Sequence, residues 1–247
     1  EALKILQAMP ESVELASLYR YRASMFYDRG DLSNARSLGM RALELAEKLN
    51  AQEAIAESCR TLGGVFRAIG DAQALRKAIE YYERALKTAL DNGYVEAAIS
   101  CYNSLGAATR TLHEGKSEYF EKGYELAKKV GHIHQESGLG AQLASQMLFR
   151  GEVKSGVSLA EESLALARKA GHMANICYSL ITLGYAHLIL GEWERSEQCL
   201  SEALTISEKL SYLSYTLLSN GCFGLLYLEK GEYARAAEFS EKVFTRQ

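Results

Sequence analysis

Proline is almost missing from this chain: Pro10 is the only one among 247 residues. Proline breaks helix interiors by removing an N–H and clashing with the preceding turn. Its scarcity, with frequent Ala-Leu, Glu-Lys and Leu-Ala pairs, predicts a chain that is nearly all helix. Cysteine occurs five times (Cys59, Cys101, Cys177, Cys199, Cys222), an odd and scattered set without a CxxC pair. That argues against a disulfide framework or a zinc site and for free core thiols in a reducing cytoplasm. Charge excess is lacking too. With 28 basic and 31 acidic residues, a net charge of -3, there is no electrostatic case for nucleic acid. No apolar run approaches the ~18 residues that span a bilayer, so no membrane association is expected. The opening stretch EALKILQAMP has neither an initiator Met nor the basic-then-apolar layout of a signal peptide, and reads as the interior of a longer protein. GxSxG, HExxH and GxxxxGKS/T motifs are all missing, so neither an enzyme nor a cofactor is expected.

What is present is a repeat. Turn pairs stand at Gly30-Asp31, Gly70-Asp71, Gly151-Glu152, Gly191-Glu192 and Gly231-Glu232, and LHEGKS around His113-Glu114 fills the gap at 81 residues. Seven residues before each turn lies a small residue: Ala23, Gly63, Gly106, Ala144, Gly184 and Gly224. Others follow the turns, at Ala35, Ala78, Gly156, Ser196 and Ala236, and then at Ala42, Ala85, Gly123, Ser163, Ala203 and the larger Val243. Six units share a period of about 40 residues, and each reads as two antiparallel helices. A glycine inside a helix costs roughly 1 kcal/mol relative to alanine, so Gly184 implies that helices approach closely there.

The pattern Leu180, Leu183, Gly184, Ser196, Leu200, Ala203, repeated as Leu62, Gly63, Phe66, Ala78, Tyr82, Ala85, resembles that of the tetratricopeptide repeat family. The resemblance covers essentially the whole chain. The period exceeds the family's usual 34 residues, and the family's proline near the end of the second helix is absent. Both helices should therefore be about 17 or 18 residues long, roughly 26 Å at 1.5 Å per residue. The long repeats look most like those in sensor arms of signalling ATPases of the maltose-activator type. The implied fold is an all-α, right-handed α-solenoid of about six helix pairs, at about 12–49, 52–92, 94–130, 132–170, 173–210 and 212–246. Residues 1–8 would finish a preceding helix, and the whole is read as one domain, 1–247.

Other candidate chemistry is thin. His132 and His134, two apart at a helix start, face different directions and read as surface histidines. His187 reads as a packed core histidine, and Glu161-Glu162 as a solvated face. Function is therefore sought in the concave surface that stacked helix pairs form. Family groove positions, carried over, give Ser17, Arg20, Ser24, Tyr27 and Asp28 in the first unit. They give Glu57, Arg60, Gly64, Arg67 and Ala68 in the second, and Ser100, Asn103, Ala107, Arg110 and Thr111 in the third. The later units contribute Ala141, Ser145, Leu148 and Phe149, then Tyr178, Ile181, Tyr185, Leu188 and Ile189, then Leu218, Leu225, Leu228 and Glu229. The implied groove is polar with four arginines at one end and apolar with aromatics at the other. Arginine forks hold carboxylate or phosphate groups. For the apolar positions two readings stay open, an exposed partner face and packing between repeats.

The function expected is a non-catalytic scaffold or regulatory module that holds a protein or peptide segment in the groove. The second reading is a sensing arm of a signal-transduction ATPase or transcription regulator with a small-molecule effector, for which Asn103, Arg110 and Tyr185 are the candidates. Self-association through the apolar face is the third.

Overall fold

The computed structural model describes residues 10–112 and 118–244. Residues 1–8, read above as the end of a helix, and the centre of the irregular third junction lie outside that range. Among the described residues there are twelve helices and no strand: α1 (Val13–Asp28), α2 (Leu32–Lys48), α3 (Gln52–Ile69), α4 (Ala72–Asp91), α5 (Val95–Thr111), α6 (Glu118–Lys129), α7 (Ile133–Phe149), α8 (Val153–Ala170), α9 (Met173–Ile189), α10 (Trp193–Lys209), α11 (Leu213–Glu229) and α12 (Tyr233–Phe244). The chain divides into two compact units, residues 1–123 and 124–247, the boundary falling inside α6.

Each turn glycine has a backbone reason. Gly30, Gly70, Gly151, Gly191 and Gly231 all have φ between 67° and 82°, the left-handed region that closes a helix C-terminus at little cost only for glycine. The second helices end in the same way at Gly93, Gly131 and Gly171, while Asn50 (φ 51°) and Ser211 (φ 56°) fill that role without glycine.

The mid-helix glycines have a packing reason. A Cβ on Gly63 would lie 2.5 Å from the Tyr82 ring, and one on Gly184 would lie 2.7 Å from Leu200. In these pairs, and at Gly106 against Phe120, the first helix thus receives a large side chain of the second against bare backbone. Leu62, Leu105, Leu139, Leu180 and Leu200, all 2% exposed or less, continue this core along the stacks. Full burial of such a side chain stabilises by about 1.5–3 kcal/mol.

Within each unit the packing repeats. First helices touch their counterparts (α1 on α3 and α3 on α5; α7 on α9 and α9 on α11), and the second helices α2, α4, α8 and α10 each pack on their own first helix and on the next one. No comparable contact joins successive second helices among the described residues. The first helices therefore line the inner side of each stack. Each unit is an all-α helical-repeat solenoid.

Candidate partner-binding faces

In the first unit the inner face is charged, and much of the charge is already matched. Arg60 on α3 reaches Glu57 one turn back, Nη2 to Oε2 at 2.8 Å and Nε to Oε1 at 3.4 Å. Arg20 of α1 approaches the same carboxylate at 3.7 Å, its guanidinium 4.3 Å above the Tyr21 ring. Glu57 thus offsets the charge of Arg20 and Arg60, two of the four arginines that the sequence offered for an anionic partner. Arg67 is exposed, and its charge favours the ionised form of the Tyr82 phenol. Burial nonetheless pushes that phenol above its usual pKa. Arg110 is exposed and lies 5.9 Å from the centroid of the Phe120 ring. Tyr27 and Asn103 are half-buried.

In the second unit the same face is apolar. Phe149, at the end of α7, is 71% exposed and its ring sits 5.5 Å from that of half-buried Tyr185 on α9. One period on, Ile189 is 42% exposed and Leu225 47%. Repeat register makes them the counterpart of the Phe149–Tyr185 pair. Tyr178 is half-buried against Tyr215 of α11, ring centroids 6.2 Å apart, and Leu188 is half-buried beside the Leu200–Phe223 core.

The two readings left open for the apolar positions divide residue by residue. Ala141, Leu148 and Ile181 are buried and leave no surface for a partner. Leu148 fills the space beside Gly156 on α8, where a Cβ would lie 2.9 Å from its Cδ2, and Ile181 joins a core cluster with Tyr215 and Cys222 of α11. Phe149, Ile189, Leu218, Leu225 and Leu228 stay exposed.

Histidine geometry goes beyond the sequence reading. His187 is buried, with Nδ1 2.8 Å from Glu192 Oε2. His132 and His172 cap α7 and α9, Nδ1 accepting the backbone N–H of Gln135 at 3.4 Å and of Asn175 at 3.2 Å. His134 stands between them, its ring 4.0 Å from that of His172. Gly131-His132 and Gly171-His172 recur at the 40-residue period, and that signal could have found the pair. Among the described residues no group of His, Cys, Asp or Glu is placed to hold a metal ion. A hollow of about 340 Å³ between α2 and α4 was also missed; Arg36 and Lys77 stand there 5.6 and 5.7 Å from the Phe66 ring centroid.

The thiols offer little nucleophilic chemistry. Burial pushes Cys59 and Cys222 up to about 11 and Cys101 to about 12, so all three are protonated at neutral pH. No described helix is long and apolar enough to cross a membrane.

No protein-family model and no curated protein matches the chain. Solved structures do. Aspartyl phosphate phosphatase F from Bacillus subtilis is similar with a TM-score of 0.82 at 12% identity, over 97% of this chain and 61% of that one. A Rap protein complexed with Competence and Sporulation Factor gives 0.71 at 11%, over 98% and 77%. A signal transduction ATPase with a tetratricopeptide repeat sensor, from Pyrococcus horikoshii, gives 0.73 at 15%, over 98% of this chain and 39% of that one. The chain thus spans about three fifths of the phosphatase and two fifths of the ATPase. At these identities the likeness establishes the fold, and the fold is of the tetratricopeptide-repeat type.

Proposed function

We propose that this chain is a non-catalytic protein-interaction module that holds a partner segment against the inner face of its first helices. The observation that carries the reading is exposed Phe149 against half-buried Tyr185, with exposed Ile189 and Leu225 at the same register one period on. Exposed apolar side chains scattered singly need no explanation, but a row of them in repeat register on an inner face marks an interaction site. The partner would place apolar or aromatic side chains there. In the first unit, Arg67, Arg110 and the Arg20–Glu57–Arg60 cluster would meet carboxylates or polar backbone. The Rap complex supports the reading, since a protein of this fold is solved with a factor bound to it.

The test is affinity capture from lysate with two baits, the chain itself and a Phe149→Ser, Tyr185→Ala variant, both first shown folded by circular dichroism. A protein retained by the first and lost from the second supports the face. Equal capture by both baits excludes it. A third bait, Arg67→Glu with Arg110→Glu, reports separately on the basic face of the first unit.

A second reading has its own support in the sensor-bearing ATPase. Here the chain would be a sensing arm with a small-molecule effector, for which Asn103, Arg110 and Tyr185 remain the candidates. A thermal-shift screen of metabolites tests it: a shift abolished by Asn103→Ala or Tyr185→Ala supports an effector, and the absence of any shift counts against one.

A further inference from the structure

The hollow between α2 and α4 is walled by consecutive second helices and floored by Phe66 of α3, so both of its walls belong to the first unit. Its volume of about 340 Å³ falls at the small end of ligand pockets, which run from roughly 300 to 1,000 Å³. Two cations stand over its floor without a counter-ion. Arg36 and Lys77 lie 5.6 and 5.7 Å from the Phe66 ring centroid, and neither forms an ion pair among the described residues. The other charges of the lining are Arg84, which is held by Glu47 of α2, and exposed Glu80. Three cations thus face two carboxylates, and one positive charge is left in excess.

Repeat register shows what this groove does without. Lys77 directly precedes the small residue Ala78, and its counterparts are Arg195 before Ser196 and Arg235 before Ala236. Both arginines are matched inside the chain, by Glu192 at 3.2 Å and by Glu232 at 2.9 Å. Arg36 directly follows Ala35, as Glu197 follows Ser196. Glu197 reaches from α10 to the counterparts of both Phe66 and Lys77. It accepts the hydroxyl of Tyr227 at 2.7 Å, four residues before its turn glycine as Phe66 is, and it lies 4.0 Å from Arg235. In the groove of α10, α11 and α12 a carboxylate of the chain therefore joins ring and cation. In the groove of α2, α3 and α4 an arginine holds that position instead.

Apolar surface lies beside the two cations. Half-buried Tyr81 stacks on Phe66, ring centroids 5.5 Å apart and planes 16° from parallel. Met40 is 47% exposed and stands where the other second helices carry Glu83, Glu121, Glu161 and Glu241, two residues before the next small residue. A wall that bears a carboxylate elsewhere in the repeat is neutral here.

We propose that this hollow binds a small aromatic carboxylate, its anion between Arg36 and Lys77 and its ring against Tyr81 and Met40. Hydrogen bonds between ionised partners are roughly twice as strong as neutral ones, which favours an anion over its amide. The single excess charge matches a carboxylate, which carries one charge, and the apolar wall selects a ring over a bare ion. The site shares no residue with the inner face or with the effector candidates Asn103, Arg110 and Tyr185, so it stands or falls apart from both readings above.

The test follows the methyl resonance of Met40 in protein carrying carbon-13 at its methionine methyls, assigned by its loss in Met40→Leu. Benzoate, phenylacetate and cinnamate are titrated to about 10 mM, since ligands of this size bind with a Kd of about 1 mM. At least one should shift the resonance saturably, while benzamide, which lacks the charge, and acetate, which lacks the ring, should not. Arg36→Gln and Lys77→Gln should each weaken binding about tenfold. Arg36→Glu, which copies the position of Glu197, should abolish it. Arg76→Gln removes the neighbouring exposed charge that does not line the hollow and should leave the affinity unchanged. Circular dichroism shows each variant folded. A Met40 resonance that none of the three carboxylates moves overturns the proposal. So does benzamide or acetate acting as well as the carboxylates, or either glutamine variant binding as the wild type does.

Discussion

The two units start their helices on different side chains: Ser12, Asp31 and Asp71 cap α1, α2 and α4 in the first, while His132 and His172 cap α7 and α9 in the second. Asp31 and Asp71 accept the backbone N–H groups of Asn34 and Ala74 at 3.1 and 2.7 Å, which starts α2 and α4, while α3 and α5 begin without a side-chain cap. In the second unit Glu152 and Glu192 stand at the Asp positions and make no cap, and His132 and His172 cap α7 and α9 instead. The inner faces differ in parallel, with arginines matched to Glu57 in one unit and Phe149 on Tyr185 in the other. One period therefore constrains the backbone and the contacts between helices, while cap and face positions are free to take different chemistry.

The largest effect should come where both units obey the same rule. Gly63→Ala forces a Cβ against the Tyr82 ring and Gly184→Ala forces one against Leu200, which is fully buried. Overpacking of this kind costs about 1–3 kcal/mol, against a helix-propensity gain of about 1 kcal/mol. Both variants should lose stability in urea unfolding, Gly63→Ala the more, because its Cβ would meet a rigid ring at 2.5 Å where that of Gly184→Ala meets a flexible leucine at 2.7 Å. Gly221→Ala is the control. It meets open space and should gain about 0.5–1 kcal/mol. If Gly184→Ala were as stable as the wild type, close approach would not explain the conserved spacing of small residues along the repeat.

That spacing is why the fold was legible. Small residues seven before a turn glycine report the distance between helices, and a backbone distance must recur in every pair. The described helices, from Val13–Asp28 to Tyr233–Phe244, are mostly of similar length for the same reason. Side-chain partners do not recur, and they were not legible. Glu57 stood among the face residues in the sequence, but nothing in its neighbours showed that it binds both Arg20 and Arg60. Likewise Ile181 and Ile189 are equally apolar as text. Their burial, 5% against 42%, depends on where α11 stands, which a register borrowed from shorter repeats does not contain.

The next effect separates the units by their caps. Asp71→Ala removes an acceptor from the Ala74 N–H and should cost about 1 kcal/mol. Glu152→Ala should cost almost nothing, since Glu152 makes no cap hydrogen bond. The converse is sharper: Glu152→Asp should add up to about 1 kcal/mol, because the shorter side chain is a good N-cap. Urea midpoints measured at fixed slope read all three. Equal losses for Asp71→Ala and Glu152→Ala would show that Asp and Glu are interchangeable in this turn.

The smallest effect is a pH response confined to the second unit, which holds every described histidine. Burial and the neighbouring His172 and His132 lower the pKa of His134 below its ordinary 6.5. A base whose pKa is depressed by folding binds its proton more readily when unfolded. Its contribution is therefore intact above pH 6.5 and is lost as the pH falls below that value through the folded pKa. Asp31 and Glu192 are lowered from 3.8 and 4.5, by Asn34 and by His187 respectively, so their contributions disappear only at more acidic pH. The interval between about 6.5 and 4.5 thus isolates the histidine. The loss is small, because His134 is partly solvated and water screens the repulsion. His134→Gln should flatten the stability profile in that interval and leave it unchanged at pH 8. A wild-type profile already flat from pH 6.5 to 4.5 would mean that the 4.0 Å approach of His134 to His172 carries no electrostatic penalty.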